Sequence, residues 1–455
     1  MIDEYAPGNS DLIPSEDGID INKLGKGGTM TTDTCSTAQK LRRILVEKIP
    51  GSFDYDCMNH LRNVWFGNME KKLTKHLNGM LRTSLDNVDP SLRVSASITA
   101  IIRAIDKEFS LSANYPKGHG ELFLEWMRDK HPGELLMHVE RAVGSRQDLC
   151  TEGCMAIIMN YPYYVEFLDE QLRKKEKNKK VSILQRNIFV ALTSSEMIAL
   201  ARLLSILHLS ICMPFRFLAG KTHEFKEYGW GPMSMGRVID TLEKKLVSVV
   251  RDPRLILEED FMMGMFEEYV QELKPLKDYV DLLCQKKQMS LISRVVARKS
   301  KSKVVHLAML RKQLFTPDRK TEQKTRGRTI QLGKVAAEAI LVELRDEKKA
   351  THKYLSRYGK EYSWRGCSEE RKQALLGNKA TNDEAESVLG GATAQVQRFG
   401  RVKLASGAAV SDISRNSFLN RKAPSKKDAR QQGMFHDFDD VVRDAIILVA
   451  MKVGN

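Results

Sequence analysis

The chain has 455 residues, a length that suits two or three domains. A hydrophobic fraction of 42% excludes a wholly disordered polypeptide. With 73 Lys and Arg against 58 Asp and Glu the formal charge is +15, which favours polyanionic partners: DNA, RNA or an anionic membrane surface. The seven cysteines, at 35, 57, 150, 154, 212, 284 and 367, form no CxxC framework and read as reduced thiols inside the cell.

In chain order, residues 1–28 are rich in Gly, Asp and Ser and read as a flexible leader, unlike a signal or transit peptide. The Thr-rich stretch from Gly28 to Asp33 favours extended backbone. Residues 36–48 follow as an amphipathic helix with Ala38, Leu41, Ile44 and Leu45 on one face. Residues 53–57 suit a short strand. Residues 59–81 suit a helix with Leu61, Val64, Trp65, Met69, Leu73 and Leu77 inward. From there to about 375 the period is helical, over 91–109, 119–129, 133–142, 151–172, 182–212, 233–249, 257–274, 275–312 with breaks, and 331–358. Loops are predicted at 114–118, 220–231 and 316–328. The apolar run Ile198–Leu218 is interrupted by Arg202, His208 and Pro214, which marks a buried core helix rather than a membrane span. Residues 418–434 read as a basic linker and 438–453 as a closing amphipathic helix.

Two stretches concentrate positive charge. Arg173–Lys180 is short and reads as a solvated face. Between Lys286 and Arg328 there are 14 Lys and Arg against Asp318 and Glu322. Cations that dense resist folding unless a polyanion offsets them, so a phosphate-binding surface stands beside the solvated-helix reading. Its candidate contacts are Lys286, Lys287, Arg294, Arg298, Lys299, Lys301, Lys303, Arg311, Lys312, Arg326 and Arg328, with Arg398 and Arg401 further on.

Three short motifs carry candidate chemistry. Thr31-Thr32-Asp33 sets a carboxylate at the end of a strand. Cys57-Met58-Asn59-His60 is a CxxH at a strand-to-helix junction. Asn382-Asp383-Glu384-Ala385-Glu386-Ser387 opens a predicted helix. Taken singly, each has an ordinary reading. Asp33 suits a helix N-cap, the CxxH has no second ligand pair for zinc, and acidic residues at a helix start favour the dipole. Trp230, in a predicted loop, reads as a loop anchor or as an aromatic available for base stacking.

The order of the motifs is more specific. Asp, helix, strand, CxxH, a long helical region, then Asn-x-x-Ala-Glu resembles the second half of the catalytic domain of eukaryotic RNase H-like transposases. The hAT, Mutator-like and Kolobok-type superfamilies are nearest in pattern. The phrase from Asp56 to Trp65, DCMNHLRNVW, is similar to this group as well. The resemblance covers residues 29–417. It implies a mainly α chain with a partial RNase H-like α/β core of one or two short strands, interrupted by a large helical insertion domain. The implied division is a core at 29–130, the insertion at 131–375, a catalytic-Glu region at 376–417 and a linker with closing helix at 418–455.

By the same resemblance Asp33 and Glu386, with Glu384 as fallback, are catalytic metal ligands, and Cys57 and His60 are the paired structural motif. The implied cofactor is Mg²⁺. Intact relatives use two such ions, about 3.5–4 Å apart, to cleave and transfer DNA strands. Only 32 residues precede Asp33, too few for the strands that carry the first carboxylate in that fold. The expected protein is therefore a nuclear, DNA-binding, catalytically incomplete transposase derivative with no membrane association, and homo-oligomerisation is left open. The alternative is a non-catalytic helical nucleic-acid-binding scaffold of nucleoprotein type.

Overall fold

Two stretches of Thr- and aromatic-rich backbone, β1 (Thr29–Thr32) and β2 (Phe53–Asp56), pair in parallel, with Thr29 opposite Phe53 and Thr32 opposite Asp56. Parallel strands need a crossover of a dozen or more residues, and residues 33–52 supply its length; the helix predicted at 36–48 lies outside the described residues. The computed structural model describes residues 29–32, 53–84, 98–109, 118–134, 136–137, 147–176, 182–284, 307–358, 361–376, 378 and 380–381. They are mainly helical. The chain divides into a continuous unit, Met58–Ala380, and a second unit formed by the residues on either side of it.

The helical unit opens with α1 (Met58–Ser84), where Leu61, Trp65, Met69, Leu73 and Leu77 are buried at helical spacing. Next come α2 (Ile98–Phe109) and α3 (Gly120–Lys130), and then the long α4 (Gln147–Glu176). Phe109, Phe123, Trp126, Tyr164 and Phe167 knit these last three together, for example Phe109 stacked on Tyr164 at 4.2 Å and Phe123 edge-on to Phe167 at 5.3 Å. The helix predicted at 133–142 does not begin there. Residues 131–134 form a turn in which Gly133 takes φ 93°, a left-handed value that suits glycine.

The helix predicted at 182–212 is two. α5 (Ile183–Thr193) ends at Ser194, whose hydroxyl caps α6 (Ser195–Leu207) by accepting from the Met197 amide. The axis then continues through a π turn, His208–Cys212, into α7 (Met213–Lys221). Pro214 lacks the amide that would bond the carbonyl four residues back, so the ladder widens ahead of it. This apolar stretch is long enough to cross a membrane, and its most apolar window is wholly buried inside the unit. The predicted loop at 220–231 is in part a 3-10 turn, Thr222–Tyr228, closed by Gly229 at φ 70°.

Beyond it lie α8 (Met235–Arg251), α9 (Glu259–Met263), α10 (Glu267–Glu272) and α11 (Lys274–Cys284). One helix was predicted across 257–274, but Gly264 and Leu273 break it. After α12 (Leu307–Phe315) comes α13 (Arg319–Arg345). Its first three turns replace the loop predicted at 316–328. Asp318 caps it by accepting from the Lys320 and Thr321 amides at 3.0 Å, behind Pro317. Crowded cations and Gly327 masked that start. The helix also ends earlier than the predicted 358, at Asp346, and a 3-10 turn, Ala350–Tyr354, follows. The short α14 (Glu369–Ala374) is the last described helix.

α13 is the central strut of the unit, packing on α1, α6 and α8, while α4 packs on α5 and α6. α1 to α3 thus belong with the helical unit, which begins at 58; the sequence had put that change at 131. The unit also closes on itself. Its first amide, Met58 N–H, donates to the carbonyl of its last residue, Ala380, at 2.9 Å. Ala380 N–H in turn reaches the Ala219 carbonyl at 3.1 Å and the Thr222 hydroxyl at 2.9 Å.

Candidate functional site

Asp33, Glu384 and Glu386 lie outside the described residues, as do Lys286, Lys287, Arg294, Arg298, Lys299, Lys301, Lys303, Arg398 and Arg401. Cys57, His60, Arg311, Lys312, Arg326 and Arg328 lie within them. Among the described residues no group of three or more His, Cys, Asp or Glu side chains gathers as a metal site.

The phrase from Asp56 to Trp65 is a buried anchor. Asp56 and Cys57 are fully buried, Cys57 as a free thiol, and His60 is half-buried in the first turn of α1. Two residues beyond the CxxH hold the helix. Buried Arg62 donates from Nη1 to the Cys212 carbonyl at 3.1 Å, at the end of the π turn. Trp65 donates from its indole to the Thr351 hydroxyl at 2.7 Å and meets Phe215 edge-on at 5.3 Å. Neither role was predicted. The sequence signal was limited to an Arg flanking the apolar stripe of a predicted helix; the carbonyl that its burial requires lies far along the chain.

The π turn also places His208. Its Nδ1 shares a hydrogen bond with the Thr151 hydroxyl at 2.7 Å, and its buried Nε2 has no hydrogen-bond partner among the described residues. Burial, with the nearby Arg62 and Arg216, lowers its pKa to about 3, so the ring is neutral. Trp230, read from sequence as loop anchor or stacking platform, is 1% exposed. Its indole donates to Glu272 at 2.9 Å, and Arg237 lies over its ring at 5.3 Å while forking onto the same carboxylate. That burial makes it an anchor.

The described part of the basic stretch splits into two populations. One faces its own unit: Arg311 pairs with Glu259, Arg326 with Glu322 at 2.7 Å, and Arg328 with Glu196 at 2.7 Å. Glu322 also receives buried Arg202 at 2.8 Å, whose Nε donates to the Leu314 carbonyl at 2.6 Å. The other population is exposed. Lys312, Arg319, Lys320 and Lys334 are on the surface and make no ion pair among the described residues. Lys324 is exposed as well, with one donor on the Thr193 carbonyl at 2.6 Å. Lys324 and Lys334 escaped notice because 316–328 and 331–358 were read as separate elements; a single helix capped at Asp318 puts them on one face.

Comparison with protein-family models, with curated proteins and with solved structures gives no match. The geometry of the unit and the charge of α13 are therefore what bear on function.

Proposed function

We propose that the protein is a transposase-derived DNA-binding protein of the nucleus, in which the helical unit is an insertion into the remnant of an RNase H-like core. The observation that carries this reading is the hydrogen bond from Met58 N–H to the Ala380 carbonyl. A domain inserted into a loop of another must take in and return the chain at one point, and adjacent ends are what make insertion tolerable. The parallel pair β1–β2 is the second support. Asp33 follows β1 in sequence and Cys57 follows β2, the order that the resemblance requires.

In this reading Asp33 and Glu386 hold Mg²⁺ through hard oxygen ligands. The metal would supply activation of a hydroxyl for attack on a phosphodiester. In this reading the protein binds DNA, and Asp33 and Glu386 are the two carboxylates that the resemblance assigns to the metal. The test is Mn²⁺ binding, followed by electron paramagnetic resonance, in the full chain. Asp33→Asn and Glu386→Gln each remove a weak site, and the double variant loses no more than either single one. Independent effects, or none, would mean that the two carboxylates share no metal, and the transposase reading falls. The helical nucleic-acid-binding scaffold then takes its place, favoured by the exposed cations of α13, Arg319, Lys320 and Lys334, that make no ion pair among the described residues.

A further inference from the structure

Although Asp318 caps it and Glu322 lies in its first turn, the N-terminal half of α13 carries several features that cost stability. Arg319 and Lys320 set two cations in the first turn, at the positive end of the helix dipole. Lys320 and Lys324 are like charges four residues apart, a destabilising pair. Burial, with repulsion from Lys320 and Arg328, lowers the Lys324 pKa against the pull of Glu196. Gly327 lies in the helix interior, where glycine costs stability relative to alanine. No packing explains it, because a Cβ there would meet nothing within 4 Å. Gly333, two turns on, is different: its Cβ would come within 3.0 Å of Ile256.

These features share one face. Lys320, Lys324, Gly327, Gln331 and Lys334 recur at four- and three-residue steps, and all are exposed. The face runs about 21 Å along the axis at 1.5 Å per residue. It carries no carboxylate until Glu338. The lysines offer charge, Gln331 offers an amide, and the missing side chain at Gly327 leaves a shallow saddle between them. Glu322 holds buried Arg202 on the inner side of the same turns, and the Arg328–Glu196 pair borders the face beside Lys324.

We propose that this face is a sequence-independent contact for the phosphate backbone of duplex DNA, with Gly327 as the point of closest approach. The inference rests on the DNA-binding reading above and locates that binding on α13. Phosphate contacts by lysine add affinity without base discrimination, and each steepens the salt dependence by about 0.9 in the slope of log K on log salt.

The experiment is fluorescence anisotropy of the full chain on two labelled duplexes of unrelated sequence across a salt series. Lys320→Gln/Lys334→Gln should lower the slope by about 2 and weaken both duplexes equally. Lys274→Gln/Lys277→Gln, exposed on α11 and equal in charge removed, should leave the slope unchanged. Gly327→Gln should raise the melting temperature while weakening binding several-fold, a pair of signs that a damaged fold does not produce. A slope unaltered by Lys320→Gln/Lys334→Gln, or lowered as much by the α11 pair, overturns the assignment to α13 and leaves DNA binding in place. Unimpaired binding by Gly327→Gln overturns the close approach. If the unaltered chain shows no salt-dependent binding, the DNA-binding reading fails, and the assignment with it.

Discussion

The two sides of α13 carry the same kind of charge and put it to opposite uses. On the inner side, Arg202 from α6 is 1% exposed and directs its guanidinium to the Leu314 carbonyl, Glu322 and Thr325. Thr325 and Thr329 return their hydroxyls to carbonyls one turn back, so the polar seam closes on itself. On the outer side, the exposed Lys320 and Lys334 side chains make no ion pair among the described residues. A buried cation is part of the fold, since its desolvation must be offset by fixed partners. An exposed one is nearly neutral for stability and is free to serve a ligand.

The largest expected effect comes from breaking the inner side. Arg202→Ala leaves the Leu314 carbonyl and part of Glu322 without their donor, at a cost of about 3–5 kcal/mol. Urea unfolding followed by circular dichroism measures it. A loss below about 1 kcal/mol, the level of an exposed pair, would erase the distinction between the two sides.

The two glycines of the helix sharpen the contrast. At Gly333 a side chain collides with Cγ1 and Cγ2 of Ile256, both 3.0 Å from the Cβ position. Gly333→Val should therefore destabilise by about 1–3 kcal/mol through overpacking. Six residues earlier, on the open face, Gly327 has space for any side chain. Glycine is thus required at one position by packing and left unexplained by packing at the other. A thermal melt that finds Gly333→Val neutral would show that Ile256 moves aside, and the inner side would be softer than its geometry implies.

How far these features could be read from sequence depends on the physics behind each. The inward stripe of α1, from Leu61 to Leu77, was legible because apolar spacing alone sets it. The burial of most of Ile198–Leu218 was legible because its apolar spacing is helical and Arg202, His208 and Pro214 interrupt it as no membrane span would. The start of α13 was not, since Thr316, Thr321 and Thr325 also suit the role of cap, and Gly327 reads as a breaker when its surroundings are unknown. Burial of Arg62 and Trp230 depends on partners far along the chain, Cys212 in the one case and Glu272 in the other. The helical unit's return to its own start, Met58 to Ala380, has no local signature at all. For the candidate site, sequence supplied the order of Asp33, Cys57, His60 and Glu386, and the helical unit adds how its own ends meet.

The smallest expected effect concerns a group that burial, with Arg62 and Arg216 adding to it, keeps neutral. His208 is neutral when folded, its pKa lowered to about 3 by burial and by Arg62 and Arg216. In the unfolded chain the ring titrates at about 6.5. Between these values the unfolded state binds a proton that the folded state refuses, so stability is complete above about pH 6.5 and declines as pH falls through the window. One proton gives a slope of about 1.4 kcal/mol per pH unit. His208→Asn keeps a short polar group beside the Thr151 hydroxyl and removes the titration. Urea unfolding at a neutral and at a mildly acidic pH should then show the variant losing less stability on acidification than the unaltered chain, by about that slope. Equal losses would mean that His208 accepts its proton in place, and that burial does not hold it neutral. A charge buried in this unit acts on the groups packed around it, whereas the side chains of Lys320 and Lys334 make no ion pair among the described residues and are open to a ligand.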